Sequence, residues 1–241
     1  MSGSETEPKS GVALALDTAL TANVAFTEGD RVLGVASEVG PRRHAEDLAE
    51  MVRRAAEAAG LTGPLKDLGI QVVCVGTGPG SFTAVRAGLS FARALARGLD
   101  VPAQGIPSLD GFARVAFDQN PAAKTVTVVT DARRREVFWA KYSPEGADDV
   151  EAIVPPTVGP LEDALVAASE RSDEGSVEDH LLVVDPALLE SVPSAVRVVP
   201  IKAQASALSC VAASREARGE ALPVEPLYLR RPDVNVPKPR G

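Results

Sequence analysis

The feature that most constrains this chain is the stretch Val72-Val73-Cys74-Val75-Gly76-Thr77-Gly78-Pro79-Gly80-Ser81-Phe82-Thr83-Ala84-Val85-Arg86, which continues through Ala87-Gly88-Leu89 to Ala96. Its opening is a short apolar run rich in β-branched residues, the pattern of a strand buried on both faces, and it stops at a glycine cluster. Beyond the cluster, Phe82, Val85, Leu89, Ala92, Leu95 and Ala96 recur at helical spacing, with Gly88 as the one breaker. Ser81 or Thr83 stands where a cap would accept the first amides. The spacing predicts a strand, a glycine loop and a helix. Such a junction aims free N–H groups and the positive end of a helix dipole at one spot, which suits a phosphate or a carboxylate.

Three loop chemistries compete for the glycine cluster. A Walker loop requires Lys and then Ser or Thr after the last glycine, and here Phe82 follows Ser81, so that motif fails. A dinucleotide fingerprint needs Gly-x-Gly-x-x-Gly, whereas Pro79 interrupts this loop and removes one amide that would face a pyrophosphate. The third is a tight turn in which the glycines take positive φ and Pro79 stiffens the corner. The residues alone leave turn and ligand site equally open.

Gly78-Pro79-Gly80-Ser81-Phe82-Thr83, followed by Arg86 and Gly88, resembles the signature of the TsaB family, the bacterial partner protein in making threonylcarbamoyladenosine in tRNA. Asp131-Ala132-Arg133 leading into Glu136-Val137-Phe138-Trp139-Ala140 resembles the second signature of that family. Pro226-Leu227-Tyr228-Leu229-Arg230 resembles its C-terminal one. Three motifs in the right order over nearly the whole chain make the match specific. The chain departs from the pattern at Ala84 and Arg135, where the family usually has glycine, and in the segment before its first strand.

At 241 residues the chain is long enough for one large or two medium domains with real cores. Aromatics make up only 4%, so Ala, Val and Leu must fill those cores. The formal charge is -8 and the densest basic run is Arg133-Arg134-Arg135, which argues against tight RNA binding by this chain alone and for contact with tRNA only indirectly. Cys74 in a strand and Cys210 in a helix read as small core residues in a reducing cytoplasm, not as a disulfide. Met1 to Ser10 is polar and no run reaches membrane-spanning length, so a cytoplasmic location is expected.

In order, residues 1–10 read as a disordered tail. Strands are expected at Val12 to Leu16, Ala22 to Thr27 and Arg31 to Glu38, the last two joined by a turn at Glu28-Gly29-Asp30. Leu48, Met51, Val52, Ala55 and Ala59 give an amphipathic helix from His44 to Ala59, closed by Gly60. A strand near Val101 to Ile106 follows the central helix, and Ser108 is placed to cap a helix through Phe117. The second half opens like the first, with a strand Thr125 to Thr130 ending in Asp131, then strands at Glu136 to Tyr142 and Val150 to Val154. Helices at Leu161 to Glu170 and Gln204 to Arg218, and strands at Leu181 to Val184 and Val196 to Val199, complete it. Ser172 to Asp179 reads as a mobile loop and residues 231–241 as a loose tail. The class is a duplicated α/β protein, with lobes at 11–106 and 107–230. The resemblance implies the actin-like ATPase (ASKHA) fold, two mixed-sheet lobes with a nucleotide cleft between them in its active members.

Asp17 and Asp131, each at a strand end, stand where active actin-like ATPases hold Mg2+ and water. With Thr18, Gly78, Gly80 and Ser81 they form the candidate degenerate nucleotide or anion site. An Asp before Thr at a strand end also turns the chain through its own backbone, and no adenine-side glycine motif appears in the second half. The catalytic relative TsaD carries a His-x-x-x-His metal motif, whereas this chain has only His44 and His180. His44 with Asp47 is a poor cage and His180 reads as a surface residue, so no metal and no cofactor are expected. Spacing gives no support to a Ser81, His44 and Asp131 triad, nor to Cys74 as a nucleophile.

The resemblance implies that the N-terminal half pairs with TsaD through helices of this region, and with itself when TsaD is absent. His44, Leu48, Met51, Arg86, Ala87 and Leu89 are the interface candidates. The expectation is a non-catalytic subunit that heterodimerises with a TsaD-like transferase, with a TsaE-like ATPase as third partner. It would support threonylcarbamoyl transfer to the tRNA adenosine beside the anticodon. The competing expectation is an autonomous actin-like ATPase or glycoprotease-like peptidase.

Overall fold

A computed structural model describes residues 11–38, 48–169, 179–193, 197–201 and 205–230. Two five-stranded mixed sheets form the frame. The first contains β1 (Val12–Asp17), β2 (Asn23–Glu28), β3 (Arg31–Ser37), β4 (Ile70–Gly76) and β5 (Ala103–Ile106), in the order β3-β2-β1-β4-β5. The second contains β6 (Thr125–Asp131), β7 (Glu136–Glu145), β8 (Asp149–Pro160), β9 (His180–Val184) and β10 (Val198–Pro200), in the order β10-β9-β6-β7-β8. Read outward from its first strand, each sheet has two successive antiparallel pairings on one side and two successive parallel pairings on the other. This is the duplication expected from the repeated strand-Asp-turn-strand pattern, in the two-lobed α/β arrangement of actin-like (ASKHA) proteins.

The alternation of strand side chains decides what packs where. Leu14, Leu16, Val24, Phe26, Val73 and Val75 meet α1 (Leu48–Ala58) and α2 (Phe82–Leu99) on the outer face of the first sheet. The opposite face shows the small residues Ala15, Ala25 and Cys74, which let α5 (Ser206–Ala217) lie close through Leu208, Val211 and Ala212. In the second sheet, α3 (Ser108–Gln119) covers Val126, Val128, Tyr142 and Val183, and α4 (Leu161–Ser169) covers Val129, Val137, Trp139 and Val184.

α5 therefore follows the second lobe in sequence but packs on the first. It is also bolted to α3. Asp149, fully buried, takes Arg215 at 2.9 Å and Arg218 at 2.5 Å, while Asp110 takes Arg215 at 2.8 Å and the Tyr142 hydroxyl at 2.8 Å. Arg114 donates to the Asp149 carbonyl at 3.1 Å. Burial pushes the Asp110 carboxyl up, against the pull of Arg215.

The elements lie close to their expected places, with instructive differences. The helix expected from His44 is seen from Leu48, because His44 lies outside the described residues, as do Ser172 to Glu178 and both tails. β8 runs to Pro160, well past Val154, since its pairing with β7 continues to Glu136↔Pro160. Ser108 does not cap α3: it is the first helical residue, and its hydroxyl accepts the Gly78 amide at 3.1 Å. His180 is not a free surface residue. It starts β9, half-buried, with Nδ1 2.7 Å from Thr125 Oγ1, and burial lowers its pKa to about 4.

Candidate functional site

The glycine loop is held by backbone bonds on both sides. Thr77 donates to the Ile106 carbonyl at 2.8 Å, Ser108 donates to the Gly78 carbonyl at 2.7 Å, and Leu227 donates to the Thr77 carbonyl at 2.9 Å. Gly78 alone of its glycines takes a left-handed φ, 92°. Gly76 and Gly80 are there for space: a Cβ on Gly76 would lie 2.1 Å from Asp17 Oδ2, and one on Gly80 would lie 2.6 Å from the Ala19 carbonyl. Gly88 follows the same logic, with Thr18 Oγ1 2.5 Å from its missing Cβ.

These contacts explain what the two residues after β1 do. Asp17 is 2% exposed and accepts the Ala19 amide at 2.6 Å and the Ser108 hydroxyl, which itself accepts from Gly78. Burial raises its carboxyl to about 6. Thr18 donates to the Ala84 carbonyl at 2.8 Å and so ties β1 to α2. Asp17, Thr18 and Gly78 are thus packed behind the loop. The other three residues of the candidate anion site, Gly80, Ser81 and Asp131, line an inter-lobe cleft of about 340 Å³.

All three sequence motifs meet at this cleft. From the first come Gly80, Ser81 and Phe82, from the second Asp131, Ala132, Arg133, Arg134 and Phe138, and from the third Leu227 to Arg230. The links are direct. Arg86 donates to the Tyr228 hydroxyl at 2.5 Å, with its guanidinium 3.9 Å above the Phe82 ring, and Phe82 stacks on Tyr228 at 5.1 Å. Arg230 donates to the Ala132 carbonyl at 3.3 Å and pairs with Glu136. Asp131 accepts the Arg133 amide at 2.7 Å and pairs with its guanidinium at 3.1 Å.

Sequence reasoning missed Asp185. At the end of β9, it is 3% exposed, lines the cleft, and accepts the Ala187 amide at 3.0 Å. Its signal was the third strand-end Asp in the chain, after Asp17 and Asp131. Thr130, 5% exposed on the cleft floor opposite Phe138 in register, was missed as well.

The candidate interface residues separate by exposure. Leu48, Met51 and Leu89 are core side chains at 1%, 3% and 2% exposure, because their helix positions point at the first sheet, so they present nothing to a partner directly. Arg86 is exposed and Ala87 half-buried on the outer side of α2, and His44 lies outside the described residues. Cys74 is buried with its thiol pushed up to about 12, the wrong direction for a nucleophile. Among the described residues, no three His, Cys, Asp or Glu side chains converge, and no helix is long and apolar enough to cross a membrane.

With this geometry in place, the chain can be set beside known proteins. Residues 20–217 match the family model described as TsaD, tRNA N6-adenosine threonylcarbamoyltransferase. A Mycobacterium tuberculosis protein described as uncharacterised is 36% identical, over 92% of each chain. The Escherichia coli tRNA threonylcarbamoyladenosine biosynthesis protein TsaB is 33% identical, over 60% of this chain and 63% of its own length. Among solved structures, YeaZ from Pseudomonas aeruginosa superimposes with a TM-score of 0.73 at 27% identity, covering 91% of this chain and 100% of that one.

Proposed function

This chain belongs to the TsaB/YeaZ branch of the TsaD family, which serves threonylcarbamoyladenosine biosynthesis in tRNA, and from that premise we propose that it is the non-catalytic partner of a TsaD-like transferase. It heterodimerises with that subunit and supports its transfer of a threonylcarbamoyl group to the tRNA adenosine beside the anticodon. The tRNA is engaged by the assembled complex and not held tightly by this chain. A TsaE-like ATPase is the third partner, and the chain pairs with itself when the transferase is absent.

One observation carries this reading. Asp17, the carboxylate an actin-like ATPase would turn toward Mg2+, is instead buried behind the glycine loop and consumed by the Ala19 amide and Ser108. The loop amide of Gly78 is likewise spent on Ser108. Groups that would bind a nucleotide have become internal struts. What they brace is α2, whose outer surface around Arg86 and Ala87 is free of acidic residues from Ser81 to Leu99 and offers small side chains for close helix approach.

The test is size-exclusion chromatography with light scattering on the protein alone and mixed with the TsaD of the same organism. A heterodimer is expected, and Ala87→Glu should abolish it while leaving the circular dichroism spectrum unchanged. Absence of a mixed species at micromolar concentrations would overturn the proposal.

A further inference from the structure

The inter-lobe cleft has a charge pattern that the partner role does not use. Its floor and wall are acidic and polar, with Asp185 at 3% exposure, Asp131, and the Thr130 hydroxyl, which is buried and makes no hydrogen bond among the described residues. Its rim is basic and aromatic. Arg133, Arg134 and Arg135 occupy the β6–β7 turn, all exposed; the first two line the cleft with Phe82 and Tyr228, and Arg86 lies over the Phe82 ring. The three turn arginines hold φ of 65, 56 and 65°, a left-handed run that L side chains disfavour, and Arg133 pairs with Asp131 at 3.1 Å. Such a cluster of positive charge on a chain of net charge -8 is a local field opposite to the field of the whole.

We infer that this rim and cleft take a single-stranded RNA segment, phosphodiester oxygens against the Arg133–Arg135 turn and one unstacked base between Tyr228 and the cleft wall. The inference rests on the tRNA-modification role. Two features favour RNA over an acidic peptide. Carboxylates entering the cleft would meet Asp131 and Asp185, whereas a neutral base can offer amino donors to Asp185 and a polar edge to Thr130. Tyr228 is 40% exposed and rigidly seated by Phe82 and Arg86, the form of a stacking platform. The cleft volume of about 340 Å³ suits one nucleotide and not a duplex. Composition argued against tight RNA binding by this chain, and the contact is accordingly modest: the turn cations are one short run, and folding adds only the Tyr228 ring and the polar cleft beside them.

The experiment is fluorescence anisotropy of a fluorescein-labelled short oligoadenylate titrated with the full-length chain alone at low salt. Saturable binding that weakens with salt is expected. Arg134→Ala with Arg135→Ala should weaken it on the order of tenfold and lower the salt slope by about 1.4, two phosphate contacts' worth for single strands. Tyr228→Ala should cost at least about fivefold while Tyr228→Phe retains binding, since stacking and not the hydroxyl is at stake. Arg135→Gly should raise Tm by relieving the left-handed strain and still lose affinity, a split that a purely structural turn would not give.

No binding, equal binding by all variants, or equal competition by polyglutamate would overturn the inference, the last outcome pointing to an acidic protein instead. The readout needs no transferase, so it fails independently of the heterodimer. A mixed species seen by light scattering without oligoadenylate binding refutes only the RNA contact.

Discussion

Arg86 and Tyr228 stand 142 positions apart in the chain and meet at 2.5 Å. With Phe82 between α2 and the C-terminal segment, they close the first lobe around the glycine loop. Tyr228→Phe removes one partly exposed hydrogen bond and should cost about 1 kcal/mol. Tyr228→Ala also removes the ring contacts and should cost roughly 1–2 kcal/mol more. Urea denaturation checks the totals, and hydrogen exchange should show the amide of Leu227, which donates to the Thr77 carbonyl, opening first in the Ala variant.

Asp149 anchors the joint between the lobes, fully buried between Arg215 and Arg218. Asp149→Ala leaves Arg215, itself only 14% exposed, beside a single remaining carboxylate, Asp110. Breaking a buried pair from one side should cost about 3–5 kcal/mol. A shift in urea midpoint of less than a third of that would mean the network is solvated.

Two glycines of α2 should respond in opposite directions. Gly98 has nothing within 4 Å of its missing Cβ, so Gly98→Ala should gain about 0.5–1 kcal/mol from helix propensity. Gly88→Ala should destabilise despite the same propensity, because the new methyl meets both Thr18 Oγ1 at 2.5 Å and Thr18 Cγ2 at 3.1 Å, and rotating Thr18 trades one clash for the other. Adding Thr18→Ala should recover part of the loss. Thermal melts of the single and double variants decide it.

Asp17 gives stability a pH signature. Its carboxyl is raised by burial from 3.8 to about 6, so the fold prefers it protonated. That contribution is fully present below about pH 4 and is lost as pH rises through 6, a difference of roughly 3 kcal/mol for a buried group. Asp17→Asn should therefore gain on the wild type between pH 4 and 7. His180, lowered to about 4, acts in the opposite sense, its contribution being present above pH 6.5 and lost as pH falls toward 4. Urea midpoints of wild type, Asp17→Asn and His180→Gln across that range separate the two.

The strands and helices were legible because their cause is local. The run Val72 to Val75 ends at Gly76 and becomes β4, and the spacing of Val85, Leu89, Ala92 and Ala96 becomes the buried stripe of α2. The likeness of Thr125–Asp131 to Val12–Asp17 gave the duplication. The usual glycine at position 135 also has a local reason, since Arg135 sits at φ 65°. The candidate site was legible only in part. Ser108 looked like a cap and serves Gly78, Asp17 looked like a cleft residue and is sealed behind the loop, and Asp185 carried no motif.

The sequence by itself determined the secondary structure, the α/β class and the three motifs, because backbone preference and apolar periodicity act over a few residues and do not depend on where the chain goes next. Only the tertiary structure decided that the motifs close one cleft, that α5 returns to the first sheet, and that Asp17 and Asp131 part company. Those outcomes depend on which small side chains allow two segments to approach. Gly80 against Ala19, Gly105 against Pro223, and Ala15, Ala25 and Cys74 beneath α5 are contacts between residues distant in sequence, and no local pattern records them.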